Sequence, residues 1–370
     1  SILLAACEGG IYRSVNAGAN WTQVLAGTFF KDIIFKPNNS KVVYAANNGL
    51  VYRSIDNGIT WLNINLGLPI TGVSRASIDV NSNNPNLLYV WIANGSVHKG
   101  FYLSRDSGNF FRTQSTTPNL HDYSTTGSGN AGQAWYDMDM VTDPTNQAIV
   151  YFGGVNIFRS NDTGNTWTIA GYWVNQIHAD QHELISDPLT RKIYAGNDGG
   201  LYASRNKGAS WQVVGNNLAI SQIYKMASSR TRKDILINGY QDNGTANYNK
   251  NWYTTYGGDG MDCEIDQTDD RYSYGELYYG SIYRIFNINA QATIASNGYT
   301  ASGSDTINEN GSWVTPFTLK EGSGNTMFIG YTNIWRSNNI KTSPVLWKRI
   351  SYNLGGVNNS NFNGGFWFCR

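Results

Sequence analysis

An all-β fold, a single β-propeller of eight blades over residues 1–370, is what this sequence predicts, and three observations carry it. An eight-residue phrase, Ser-x-Asp/Asn-x-Gly-x-x-aromatic, returns five times, at Ser14–Trp21, Ser54–Trp61, Ser104–Phe111, Ser160–Trp167 and Ser204–Trp211. Its serines recur at intervals of 40 to 56 residues, and a repeat of roughly 40–50 residues built of short strands is the period of a propeller blade. An aromatic stands two residues before each serine (Tyr12, Tyr52, Tyr102, Phe158, Tyr202), marking the strand that leads into the phrase.

The phrase reads as a hairpin between the two outer strands of a blade. Its Asp or Asn accepts backbone N–H groups in the turn, its Gly supplies a left-handed position, and its closing aromatic folds over the turn and packs between blades. The motif resembles the Asp-box, or BNR repeat, of sialidases, xyloglucan-cleaving glycosidases and sortilin-like proteins. In those families the box lies on the outer rim, away from the ligand, so Asp56, Asp106 and Asp162 read as scaffold rather than as acids of a site.

Three later stretches keep the leading strand without a full box: GYQDNGTANY with Trp252, YGSIYRIF around Tyr283, and YTNIWRSNN with Trp347. They bring the count to eight, with seven as the alternative. The chain opens on ILLAACEGGIYRS with no inner strand before it and ends on the inner-type strand NFNGGFWFCR. The expectation is that the C-terminal strand completes the first blade and removes the exposed edges. That would set Cys7 and Cys369 on neighbouring strands, as a disulfide or as two buried thiols.

Composition narrows the function classes. Aromatics make up 14% of the chain and charged residues only 14%, so the surface is Asn-, Ser-, Thr- and Gly-rich. A net charge of +1 without a basic run argues against nucleic acid and acidic membranes as partners. No apolar stretch approaches the ~20 residues that span a bilayer. This balance suits an extracellular or cell-surface protein.

Four motifs in the second half go beyond the repeat: HADQHEL from His178, GNDGGLY from Gly196, GYQDNGT from Gly239 and GGDGM from Gly257. Their order resembles bacterial sortilin-like secreted propellers, often labelled as BNR-repeat glycosyl hydrolases. Gly196–Gly200 is also similar to the Gly-x-Asp-x-Gly-Gly strands of xyloglucanases, whose catalytic aspartates face each other between two propellers. The N-terminal counterpart here carries Glu8, and only one propeller is expected. The sialidase Arg-Ile-Pro signature is absent.

Alternation along an extended inner strand would put His178, Asp180 and His182 on one face. Asp137 or Asp139 from the preceding inner strand, and Gln222 with Tyr224 from the following one, would approach that face. Asp198, Gln241, Asp242, Asn243 and Asp259 would crown the same end. Carboxylates suit calcium, with Asp180, His182 and Asp137 as candidate ligands, while His-x-Asp-x-His suits zinc less well because the spacing is not a zinc signature. The catalytic candidates are Asp180, Asp198 and Asp259, and the ligand-binding candidates are His178, Gln241, Asp242, Asn243 and Tyr224. Hydrogen bonding among channel residues is the structural alternative. The favoured reading is a secreted or surface propeller that binds a glycan or a protein partner. The alternatives are a glycoside hydrolase and a structural component, or module, of a larger surface assembly.

Overall fold

The computed structural model describes residues 2–215, 218 and 220–352. Among them there is no helix, and therefore none long and apolar enough to cross a membrane. The strands form eight antiparallel meanders, seven of four strands and one of three, which is the blade architecture of a β-propeller. The chain divides into two compact units, Ser1–Leu218 with blades 1 to 5 and Ala219–Arg370 with blades 6 to 8.

Blade 1 is the three-stranded sheet, built of Leu3–Cys7, Gly10–Ser14 and Thr22–Ala26. Its second strand runs into the Asp-box, whereas in blades 2 to 5 the third strand does so. Blade 1 therefore starts one strand late, as the sequence predicts. The strand expected to complete it, and Cys369, lie outside the described residues. Cys7 is exposed, and Cys263 is buried in blade 7.

Each hydrophobic core in the first unit lies between two successive blades. Tyr44, Val51, Val90 and Phe111 join blades 2 and 3; Trp91, Phe101, Phe152 and Phe158 join blades 3 and 4; Tyr151, Ile157, Leu184 and Ala195 join blades 4 and 5. In the second unit Ile237, Cys263, Ile265 and Ile285 join blades 6 and 7, and Tyr274, Ile294, Trp335 and Trp347 join blades 7 and 8. A blade covered on both faces needs apolar residues without alternation, which is why Leu88–Ala93 are all buried.

The five boxes share one hydrogen-bond pattern. In each, the serine Oγ donates to the Asp or Asn Oδ1 and accepts the glycine N–H; in blade 2 these are Ser54 to Asp56 at 2.7 Å and Gly58 to Ser54 at 2.9 Å. The same Oδ1 accepts the N–H four residues on, that of Thr60, at 2.9 Å. These bonds hold the Asp56 carboxyl far below its usual range, the Thr60 hydroxyl contributing most. The carboxylates are thus spent on turn geometry, as the box reading expects. The box glycines of blades 2 to 5 also press on the preceding blade: a Cβ on Gly164 would stand 2.1 Å from the Phe101 ring, and one on Gly58 would stand 2.7 Å from Leu4. The closing Trp167 meets Phe101 edge-on, at 5.1 Å and 89°. Blade 8 keeps a degenerate box, in which Ser337 donates to Asn339 at 3.0 Å and Asn339 accepts Leu346 N–H at 2.8 Å.

Two further ties link successive blades. An arginine before the box serine donates to the box turn of the next blade, as Arg13 to Asn57 O at 2.9 Å, Arg53 to Ser107 O at 2.7 Å and Arg159 to Lys207 O at 2.8 Å. On the innermost strands an acid accepts an N–H from the next innermost strand. Asp32 takes Ile78 at 2.8 Å, Asp79 takes Thr142 at 2.6 Å, Asp139 takes Leu184 at 2.5 Å, and in the second unit Glu264 takes Leu319 at 2.6 Å.

Candidate functional site

The first unit brings a polar cluster together where the chain enters the innermost strands of blades 4 and 5, Asp139–Thr142 and Gln181–Ser186. The segment before blade 4 turns on itself, with Tyr136 N–H donating to Gln133 O at 2.7 Å and Asp137 N–H to the same oxygen at 3.2 Å. Arg75 clamps this turn from blade 3, its guanidinium donating to Ala134 O, Tyr136 O and Met138 O at 3.0, 3.1 and 3.0 Å. One cation thereby fixes where Tyr136 and Asp137 stand.

Gln133 Nε2 bridges the two acids, donating to Asp180 Oδ1 at 2.6 Å and to Asp137 Oδ2 at 3.2 Å. Asp137 is fully buried, and among the described residues its Oδ1 accepts no hydrogen bond. Burial and the negative charge of Asp180 push its carboxyl well up; burial and the charge of Asp198 do the same to Asp180. The pair retains a proton to higher pH than either acid alone would.

Asp198 sits in the turn between Ile193–Asn197 and Gly200–Ser204. Its Oδ2 accepts the Tyr136 hydroxyl at 2.7 Å, and its Oδ1 meets His182 Nε2 at 2.8 Å. That hydrogen bond is the main cause raising the His182 imidazole above its ordinary value. The His182 ring stands edge-on to Tyr136 at 4.8 Å. One oxygen of Asp180 and one of Asp198 lie within 4.8 Å of each other.

The expected single face for His178, Asp180 and His182 does not form. The innermost strand of blade 5 begins only at Gln181, and Asp180 has φ 66°, a left-handed conformation that breaks the alternation. The His178 ring lies over Gly199, where a Cβ would come within 2.3 Å of it, and Gln181 Nε2 donates to His178 O at 2.6 Å. Of the two acids left open in blade 4, Asp137 joins the cluster while Asp139 holds the next innermost strand. The turn also brings aromatics the motif reading missed. Trp135 is 63% exposed, its ring 5.5 Å from Tyr136. Tyr123, also exposed, reaches Gln133 Oε1 at 3.5 Å, and Trp173 Nε1 donates to Tyr123 O at 3.1 Å. The signal was the dipeptide Trp135-Tyr136 directly before Asp137.

The second unit places the remaining candidates on one turn. Asp242 has φ 57°, its N–H donates to Asp259 Oδ1 at 2.9 Å, and Asn243 Nδ2 donates to Gln241 O at 3.0 Å. Tyr224 Oη donates to Gln241 Oε1 at 3.1 Å. Asp259 accordingly supports this turn. A cavity of about 1000 Å³ elsewhere in this unit is lined by Met226, Glu264, Asp266 and Leu319. Its acids are engaged, Glu264 with Leu319 N–H and Asp266 with Lys341 and Thr268.

Residues 9–146 match the family model for sortilin (neurotensin receptor 3), Sortilin-Vps10. Over that stretch the chain is similar to sortilin-type Asp-box propellers. No curated protein sequence matches it. Among solved structures, the GH74 enzyme of Niastella koreensis shares 13% identity over 95% of this chain and 64% of its own, with a TM-score of 0.45. PorZ, an essential bacterial surface component of the type-IX secretion system of Porphyromonas gingivalis, shares 14% over 94% and 45%, with a TM-score of 0.49. YCF48 from Cyanidioschyzon merolae shares 14% over 90% and 99%, with a TM-score of 0.37. The chain spans less than two thirds of the length of the GH74 structures it matches.

Proposed function

We propose that this chain is an exported, surface-displayed propeller that binds a glycan at the Trp135–Asp198–Asp180 cluster of its first unit. One observation carries the reading: a single clamped turn presents an exposed indole and, on the next residue, the hydroxyl that reaches the Asp198 carboxylate. Sugars need such a pairing of a flat apolar face for the ring with fixed acceptors for the hydroxyls. The low-charge, aromatic-rich composition supports export. The test is titration of neutral and acidic oligosaccharides, followed by indole fluorescence and calorimetry. Trp135→Ala should weaken binding about tenfold, the scale of one lost aromatic stacking contact. Unchanged affinity in that variant would sink the reading.

A second reading, glycoside hydrolysis, is favoured by the acid pair itself. Asp180, its carboxyl raised, would donate the proton, and Asp198 would act on the other side of the bond. Oxygens within 4.8 Å lie nearer the ~5–5.5 Å of retaining enzymes than the ~6.5–9.5 Å of inverting ones. Release of reducing sugar from xyloglucan by the wild type but not by Asp180→Asn would establish it. The carboxylates of Asp137, Asp180 and Asp198 would also suit calcium better than zinc. Elemental analysis of the wild type and Asp180→Ala tests that directly.

A further inference from the structure

We propose that the second unit carries its own carbohydrate-binding surface, the Tyr278, Tyr279 and Trp313 platform, which takes a neutral pyranose ring. The inference rests on the glycan reading above but concerns a different set of residues.

Three large aromatic side chains are exposed together. Trp313 is 39%, Tyr278 38% and Tyr279 52% accessible. The Tyr278 and Trp313 rings are parallel within 4° at 5.4 Å, and Tyr279 meets Trp313 edge-on at 5.3 Å. Exposing this much ring surface forgoes hydrophobic burial that each ring would otherwise gain.

The platform is held rather than loose. Trp313 Nε1 donates to Tyr224 Oη at 3.1 Å, and that hydroxyl donates onward to Gln241 Oε1 at 3.1 Å. The Gln241 amide nitrogen donates to no group among the described residues. The backbone ties the two halves of the platform, through Tyr279 N–H to Trp313 O at 3.4 Å and Gly311 N–H to Tyr279 O at 3.3 Å. Beneath them Glu276, 1% exposed, accepts Gly280 N–H at 3.0 Å and Thr315 N–H at 2.7 Å on one oxygen. Gly280, at φ 80°, lets the turn approach Tyr331, whose hydroxyl donates to Gly280 O at 2.5 Å. Rings fixed before binding lose little entropy on it.

The chemistry selects the ligand. The side chains that form the surface, Tyr, Trp and Gln, are uncharged, and the Asp242 and Asp259 carboxylates in the Gln241 turn would repel an anion, so the occupant is a neutral sugar. The outward face of this stacked pair fits the apolar C–H face of a pyranose, and the Gln241 amide is placed to donate to a hydroxyl at its edge.

The experiment titrates full-length protein with neutral hexaoses of glucose, mannose, galactose and N-acetylglucosamine by calorimetry. The variants are Trp313→Ala, Tyr279→Ala and, in the first unit, Trp135→Ala, each checked for an unchanged melting temperature. Tyr279→Ala stands in should Trp313→Ala fail to fold. The expected result is two sites per chain in the wild type and one in each single-unit variant, with the site lost in Trp313→Ala being the one that survives Trp135→Ala. Two sites retained in both Trp313→Ala and Tyr279→Ala would overturn this proposal and leave the first site standing. One site per chain, lost on Trp313→Ala and kept on Trp135→Ala, would uphold it and overturn the first. No heat with any sugar would overturn both, and a platform that captures protein instead falls under that outcome.

Discussion

Replacing Asp79 with asparagine should remove a pH dependence from the stability of the first unit. Asp79 lies on the innermost strand of blade 3, 8% exposed, with Oδ2 on Thr142 N–H of blade 4 and Oδ1 on Val80 N–H. Burial pushes its carboxyl from 3.8 up to about 7, against the pull of the Thr142 bonds, with Asp32 adding a smaller push in the same direction. The folded chain therefore holds a proton there that the unfolded chain releases. The stabilisation is fully present below pH ~4 and is lost as pH rises through 7. Three pH units at 1.36 kcal/mol each give about 4 kcal/mol, a large share of the ~5–15 kcal/mol that holds a domain together. Asparagine keeps an oxygen for Thr142 N–H and never ionises. Relative to wild type, Asp79→Asn should be close to neutral below pH ~4, more stable by about 1–2 kcal/mol at pH 5, where the unfolded carboxyl has already ionised, and more stable by up to ~4 kcal/mol at pH 8.5, on the order of 10 °C in melting temperature. Comparing the two proteins at both pH values cancels the other buried acids, Asp32 and Asp139, which titrate in both. Equal destabilisation at pH 5 and pH 8.5 would refute the argument, because it would make Asp79 a bond acceptor only.

Gly164→Ala should cost about 2–3 kcal/mol in a urea melt, since its Cβ would meet the buried Phe101 ring at 2.1 Å and its φ is 91°. Asp198→Asn should lower the His182 pKa, because the Asp198 bond is the main cause raising it; a two-dimensional NMR titration of the imidazole reads this, and an unmoved His182 would count against the pair. Arg75→Ala should speed hydrogen exchange within residues 134–138 and weaken glycan binding, because three carbonyls lose their donor. Cys263, whose thiol burial pushes up to about 12, should resist alkylation in the folded protein and react in urea, as peptide mapping would show.

Much of the fold was legible because it is local and repeated. An Asp-box is closed by bonds between residues at most four apart, so Ser54, Asp56, Gly58 and Thr60 fix the turn whatever surrounds it. The late start of blade 1 was readable for the same reason, by placing its box after the second strand instead of the third. The three boxless units are marked by their leading strands alone, and a longer turn hides the degenerate Ser337–Asn339 box from the motif. The ties between blades were not visible. Nothing local distinguishes Asp79, which holds Thr142, from Asp137, which joins a site.

The candidate site divides in the same way. Asp137, Asp180, His182 and Asp198 stood out by residue type, and the first unit brings them together. Their arrangement depended on a left-handed Asp180 that no alternation rule anticipates, and on Arg75 clamping a turn some 60 residues away. The sequence by itself determined the repeat, the turn chemistry and the surface of uncharged polar and aromatic residues, because each follows from neighbours along the chain. Only the tertiary structure decided which acids are latches, which share a proton and which aromatics stay exposed. Those outcomes depend on burial and on partners brought in from other blades, and desolvation acts through distance in space, not through position in the chain.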